Sequence, residues 1–132
     1  MTVERYGVNR PEIIAEISAL FLQYESALIA NDMATLNNFF WDDNATVRYG
    51  LAEQSYGAQA IRAYRQQARP VDGGRRLRNT VITTYGSDTA SACTEFSIPG
   101  TTLIGRQTQS WVRFERGWKI VAAHISAISG AS

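Results

Sequence analysis

Two side chains carry more chemistry than their local pattern requires. In "FLQYESAL" (residues 21–28), Tyr24 falls on an apolar helical stripe where a leucine would serve. A phenol there either packs in a core with its hydroxyl on one partner, or acts as a general acid or hydrogen-bond donor at the closed end of a cavity. In "NATVRYG" (44–50), Arg48 sits mid-strand between apolar neighbours. A buried guanidinium needs an anion. That anion is either a protein carboxylate, with Asp42 and Asp43 just upstream, or the carboxylate of a ligand, which arginine's planar fork fits better than lysine does.

A second group of polar residues lies near the C-terminus. His124 is the single histidine, set in an apolar strand, and reads either as a satisfied core residue or as part of a pocket. A two-residue turn at Arg116–Gly117 places Glu115 opposite Trp118, Gln109 opposite His124 and Gln107 opposite Ser126. The row of Gln109, His124, Gln107 and Ser126 then lines a pocket, although a shift of one residue in the turn changes the pairing. Arg76 belongs to "ARPVDGGRRLR" with Arg69, Arg75 and Arg78. Four arginines around a Gly-Gly turn form either a solvated edge or a mouth that attracts small anions.

Other chemistries find little support. One histidine and one cysteine, Cys93, do not make the usual zinc site, and there is no GxGxxG, Walker A or GxSxG pattern. Neither metal nor cofactor is therefore expected. The lone cysteine excludes an internal disulfide framework, and in a strand without a nearby base it reads as inert packing. A net charge of +1 gives no global field for nucleic acid. The composition, 45% hydrophobic and 19% charged, is that of a soluble globular domain. No run looks like a membrane span of roughly 20 apolar residues, and "MTVERYGVNRPEI" has no signal-peptide core, so a cytoplasmic protein is expected.

The elements that must position these residues follow from periodicity. A long helix runs from a cap at Asn9 through Pro11 to near Asn31 and Asp32, with Ile13, Ile17, Leu20, Phe21, Tyr24 and Leu28 on one side. "MATLNNFF" forms a short second helix. "NATVRYG" and "LAEQSY" form a short hairpin, and "GAQAIRAYRQQAR" a third helix stopped by Pro70. From Leu77 onward two long hairpins follow, turning at "GSD" and "RG". Helices segregated from an antiparallel sheet make a single α+β domain over residues 1–132. The sheet curls around the helices and leaves a central cavity between them. Both faces of the last strand are largely apolar, so the outer face is expected to meet a second copy, giving a homodimer.

The order of elements, "FFWDDNATVRYG" and above all "QSWVRFERGWKIVAAHIS" resemble the NTF2-like (SnoaL-like) superfamily of cone-shaped domains. With "FLQYESAL", "TVRYG", "TTYG" and "GRQTQSW", the chain is similar to the AtzH-like (HpxZ-like) family from about Ile13 to Ser126. That family is associated with oxalurate and cyanuric-acid catabolism. The resemblance implies a small decarboxylating amidohydrolase acting without cofactor on 1,3-dicarboxyurea or a related ureido acid such as oxalurate. It implies Tyr24 and Arg48 as the catalytic pair and matches His124 and Ser126 to a polar lining; with Gln109 from the polar row and Arg76 at the mouth, these are expected to contact the anionic substrate. Two alternatives stay open. One is a non-catalytic module that docks on an amidase partner. The other is an isomerase or cyclase of the ketosteroid-isomerase type, which would need Glu95 or Asp42 in the cavity beside Tyr24.

Overall fold

The computed structural model describes residues 7–130. Helix α1 (Pro11–Ala30) begins with Pro11, whose missing N–H costs nothing in a first turn, and it buries Ile13, Ile17, Phe21, Tyr24, Ala27 and Leu28. It stops at Asn31, which adopts the left-handed conformation (φ 54°) and donates its N–H to the Ala27 and Leu28 carbonyls. Asn9 does not cap this helix. Its Oδ1 accepts from the Thr84 N–H at 3.0 Å and its own N–H donates to the Thr84 carbonyl at 2.9 Å, which tethers the chain to the sheet, and Arg10 takes the cap position. By length and composition alone α1 would qualify as a membrane span, contrary to expectation, but its apolar stripe lies in the core.

Helix α2 (Met33–Phe39) is capped by Asp32, whose carboxylate accepts from the Thr35 N–H at 3.2 Å and the Thr35 hydroxyl at 2.7 Å. These two bonds, the hydroxyl first, hold the Asp32 carboxyl below its usual pKa. Strands β1 (Val47–Tyr49) and β2 (Gln54–Tyr56) form a tight hairpin, and α3 (Ala58–Gln67) follows directly. Two long hairpins complete the chain: β3 (Leu77–Tyr85) with β4 (Thr89–Ser97), and β5 (Leu103–Phe114) with β6 (Gly117–Ser129).

The fold is α+β, with helices packed on one six-stranded curved sheet of order β2-β1-β6-β5-β4-β3. All neighbours are antiparallel except β1 and β6, which run parallel, with Arg48 beside Ala123 and Tyr49 beside His124. The core joins the α1 stripe to Leu36, Phe40, Ile61, Trp111, Trp118 and Ile120.

Two details of the last hairpin decide which side chains face the helices. Its turn is Glu115–Arg116, with Phe114 opposite Gly117, one residue earlier than expected. A β-bulge then follows: Trp111 pairs with Ile120 but Ser110 pairs with Ala122, so Val121 is the extra residue on β6. Because strand periodicity is two, one inserted residue reverses the faces of everything beyond it. Trp118, Ile120, Ala123 and Ile125 therefore point inward, and His124 points outward opposite Thr108.

Candidate functional site

Tyr24 is set by its helix and by two aromatic neighbours. The rings of Phe39 (5.6 Å, 74°) and Phe40 (6.3 Å, 69°) meet it edge-on, an orientation favoured by the ring quadrupoles. The residue is buried, and its hydroxyl oxygen accepts from Arg65 Nη2 at 3.3 Å. Arg65 lies in the last turn of α3, on the face shared with Ala58 and Ile61. It is 8% exposed, and no carboxylate of a described residue comes within 4.0 Å of it.

Arg48 approaches the same space from β1. Its Nη1 donates to Glu53 Oε1 at 2.7 Å, and its guanidinium carbon lies 5.0 Å from the centre of the Tyr64 ring. Glu53 closes the β1–β2 turn through the Gly50 N–H to Glu53 carbonyl bond of 2.9 Å. A Cβ on Gly50 would collide with the Glu53 carboxylate, so glycine is what lets that side chain fold back onto Arg48. The other edge of the guanidinium, Nε and Nη2, makes no hydrogen bond to a described residue, and Nε is buried. Arg48 is thus neither free nor locked to Asp42 or Asp43. Asp42 pairs with Arg62 at the surface, and the Asp43 carboxylate caps the Ala45 N–H.

A third arginine forms the back wall. Arg75 is held by Glu25 through a two-bond fork (2.8 and 3.0 Å) and lies 4.0 Å from the Phe96 ring centre. Its Nη2 also donates to Gln107 Oε1 at 3.3 Å. Glu25 and Arg75 are both more than nine-tenths buried.

Tyr24, Arg48, Glu53, Arg65, Arg75 and Gln107 all line one cavity of about 380 Å³, with Ile125 and Phe96 among its apolar walls. Larger surface grooves, of about 930 and 780 Å³, flank α2 and the β5–β6 turn, but no buried charged residue lines them. The small cavity is the candidate site because charge and enclosure meet there. It can hold a small anion against arginine donors and offer it the proton of a phenol.

Four expected contacts lie elsewhere. Gln109 is buried in the core, where its Oε1 accepts from Trp111 Nε1 at 3.1 Å. His124 and Ser126 are on the outer face: the imidazole meets Tyr49 edge-on at 5.5 Å, and the Ser126 hydroxyl accepts from Arg106 Nε at 3.1 Å. Arg76 is exposed beside another surface cleft, with Nη1 donating to the carbonyls of Gly73 and Arg75. The turn and bulge account for His124 and Ser126; Arg76, in the segment just before β3, is exposed while its neighbour Arg75 is buried. Arg65 and Glu53 were not expected as site residues, whereas Gln107 keeps its expected place in the pocket lining and Arg75, one of the four arginines around the Gly-Gly turn, enters the cavity. Arg65 had a readable signal, since Ala58, Ile61 and Arg65 share one helical face. Glu95 and Asp42 do not enter the cavity: Glu95 pairs with Arg78 and Asn79 at the surface.

The family model described as AtzH-like matches residues 6–131. The chain belongs to the AtzH-like family. It is also similar to a solved cystatin-like fold protein from Burkholderia xenovorans LB400, at 48% identity and a TM-score of 0.92, covering 94% of this chain and 98% of that one. A protein with unknown function of the DUF3225 family from Pectobacterium atrosepticum SCRI1043 is 52% identical, with a TM-score of 0.89 and coverage of 92% and 95%. An NTF2-like protein of unknown function from Pseudomonas putida KT2440 shares the fold at 20% identity, with a TM-score of 0.70 and coverage of 85% and 84%. A search of curated proteins finds no match. The likeness to the Pseudomonas protein shows that the α+β fold around the cavity is NTF2-like.

Proposed function

We propose that the protein is a decarboxylating amidohydrolase acting on 1,3-dicarboxyurea or a related ureido acid such as oxalurate. The observation that carries it is the meeting of the Tyr24 hydroxyl, the unbonded Nε–Nη2 edge of Arg48 and the uncompensated Arg65 around one 380 Å³ cavity. A dianion with two carboxylates offers one to each guanidinium. The Arg48 edge suits a two-bond fork, and Arg65 gains the counter-ion that no described carboxylate supplies. Glu53 Oε2, a buried acceptor without a donor, suits a ureido N–H.

The chemistry asks little more of the site. In 1,3-dicarboxyurea, as the bond between a urea nitrogen and its carboxyl carbon breaks, the electron pair stays on nitrogen and carbon dioxide leaves. Tyr24 delivers its proton to that nitrogen and recovers one from water. Holding the substrate away from bulk water keeps the proton on the productive path. Incubation with enzymatically generated 1,3-dicarboxyurea should release carbon dioxide above the uncatalysed rate. Tyr24→Phe should slow it by a factor on the order of 10²–10⁴, the usual contribution of a positioned acid. Arg48→Ala should raise KM and lower kcat. Background rates, or rates unchanged by both substitutions, would sink the proposal.

The outer sheet face is proposed to pair two copies. It exposes Val81, Tyr49, Tyr56 and Ile128, apolar surface that a singly covered sheet would replace by polar residues.

A further inference from the structure

Gln107 has one end of its amide occupied and the other idle. Its Oε1 accepts from Arg75 Nη2, while its Nε2 is buried and finds no acceptor among the described residues. The orientation of that amide follows from chemistry. A guanidinium carries only donors, so the oxygen must face Arg75, and the reverse flip would set N–H against N–H. Arg75 is in turn immobilised by the Glu25 fork and the Phe96 ring. A chain of contacts thus runs from α1 through Arg75 to β5 and ends in an unused N–H of Gln107, a residue that lines the cavity. Leaving such a donor buried without a partner costs free energy, and cores that keep one generally use it.

We infer that Gln107 Nε2 donates to the central carbonyl oxygen of the ligand and so determines specificity for ureido acids over plain dicarboxylates. Glu25 and Arg75 are positioning residues for it. The inference rests on the proposed substrate class. Between carboxylates bound by Arg48 and Arg65, 1,3-dicarboxyurea carries one carbonyl, and among the buried cavity side-chain atoms without a partner in the described residues, Gln107 Nε2 is the neutral donor. Arg48 Nε, the other unpaired donor, belongs to the edge assigned to a carboxylate.

The test uses two diacids of the same chain length, the first of them a β-keto acid that sheds carbon dioxide on standing and is therefore dissolved fresh and titrated cold. 3-Oxoglutarate has the carboxylate–carbonyl–carboxylate spacing of 1,3-dicarboxyurea with carbon in place of nitrogen, and glutarate lacks the carbonyl. Calorimetric titration of the wild-type protein should give an affinity for 3-oxoglutarate on the order of tenfold above glutarate, the value of one well-placed hydrogen bond to a buried donor. Gln107→Met keeps the volume and removes the donor. It should erase the ratio by weakening 3-oxoglutarate alone, with glutarate binding unchanged. Gln107→Glu keeps a partner for Arg75 but turns donor into acceptor, and should push the ratio below one; it serves where the Met variant does not fold. Equal wild-type affinities, or a ratio that survives in a folded variant, would overturn the role of Gln107. If neither diacid binds, the anion-binding cavity itself fails and the inference falls with it. The two failures are therefore distinguishable.

Discussion

Arg65→Met separates a functional guanidinium from a structural one, because the two roles predict opposite signs. Arg65 is 8% exposed, and its side-chain partner among the described residues is the neutral Tyr24 hydroxyl at 3.3 Å, near the long limit of a hydrogen bond. Removing that bond costs about 1 kcal/mol, or somewhat more because the donor is charged. Against this, desolvating an ion without a counter-ion costs several kcal/mol even after relaxation. Methionine matches the length of the stem and fills the volume. The desolvation term is the larger, so Arg65→Met should leave unfolding stability unchanged or raise it by about 1–2 kcal/mol, measured by urea denaturation. The same variant should lose the second carboxylate subsite. Its affinity for 3-oxoglutarate should fall at least tenfold, about 1.4 kcal/mol. A variant destabilised by about 2 kcal/mol or more with diacid affinity intact would refute the reasoning and make Arg65 a support for Tyr24.

Glu25→Gln should behave in the opposite way. It strands the Arg75 charge inside the protein and should cost about 3–5 kcal/mol in the same denaturation assay. Gly105→Ala should destabilise by about 1–3 kcal/mol by driving a Cβ into the Phe96 ring that backs Arg75, and Phe96→Leu should partly rescue it. The depressed pKa of Asp32 contributes stability that is present above its ordinary value of 3.8 and is lost as pH falls through its lower folded value. The acid loss of thermal stability should therefore be smaller in Asp32→Asn, in scans between about pH 5 and pH 2. For the proposed pairing of copies, light scattering should give twice the 14.6 kDa chain mass, and Val81→Arg with Ile128→Arg should return the single chain; a wild-type monomer would refute the pairing.

What could be read from the sequence was what depends on neighbours along the chain. The α1 stripe follows from a period of 3.6, and the long strands follow from a period of two punctuated by GSD and the β5–β6 turn. Tyr24 and Arg48 were found because each conflicts with its own local pattern, and a conflict of that kind needs no tertiary information. The polar partners were different. Gln107 was seen in the right row, but His124 and Ser126 were placed with it, because a bulge leaves no mark in "WKIVAAHIS". The extra residue, Val121, is as apolar as the strand around it, and both faces of β6 carry small apolar groups, so the pattern cannot register the flip. Glu25 was hidden for another reason. It sits next to Tyr24 on α1 and would be a routine exposed carboxylate without Arg75, which lies 50 residues away. Arg65 is 41 residues from the hydroxyl it contacts. Charges buried in pairs or against a ligand are tolerated only because of such distant partners. The residues that conflict with their neighbours are therefore visible in one dimension, and the residues that resolve the conflict are not. A cavity site contains both kinds, which is why its catalytic candidates can be named from sequence while its specificity residues need the fold.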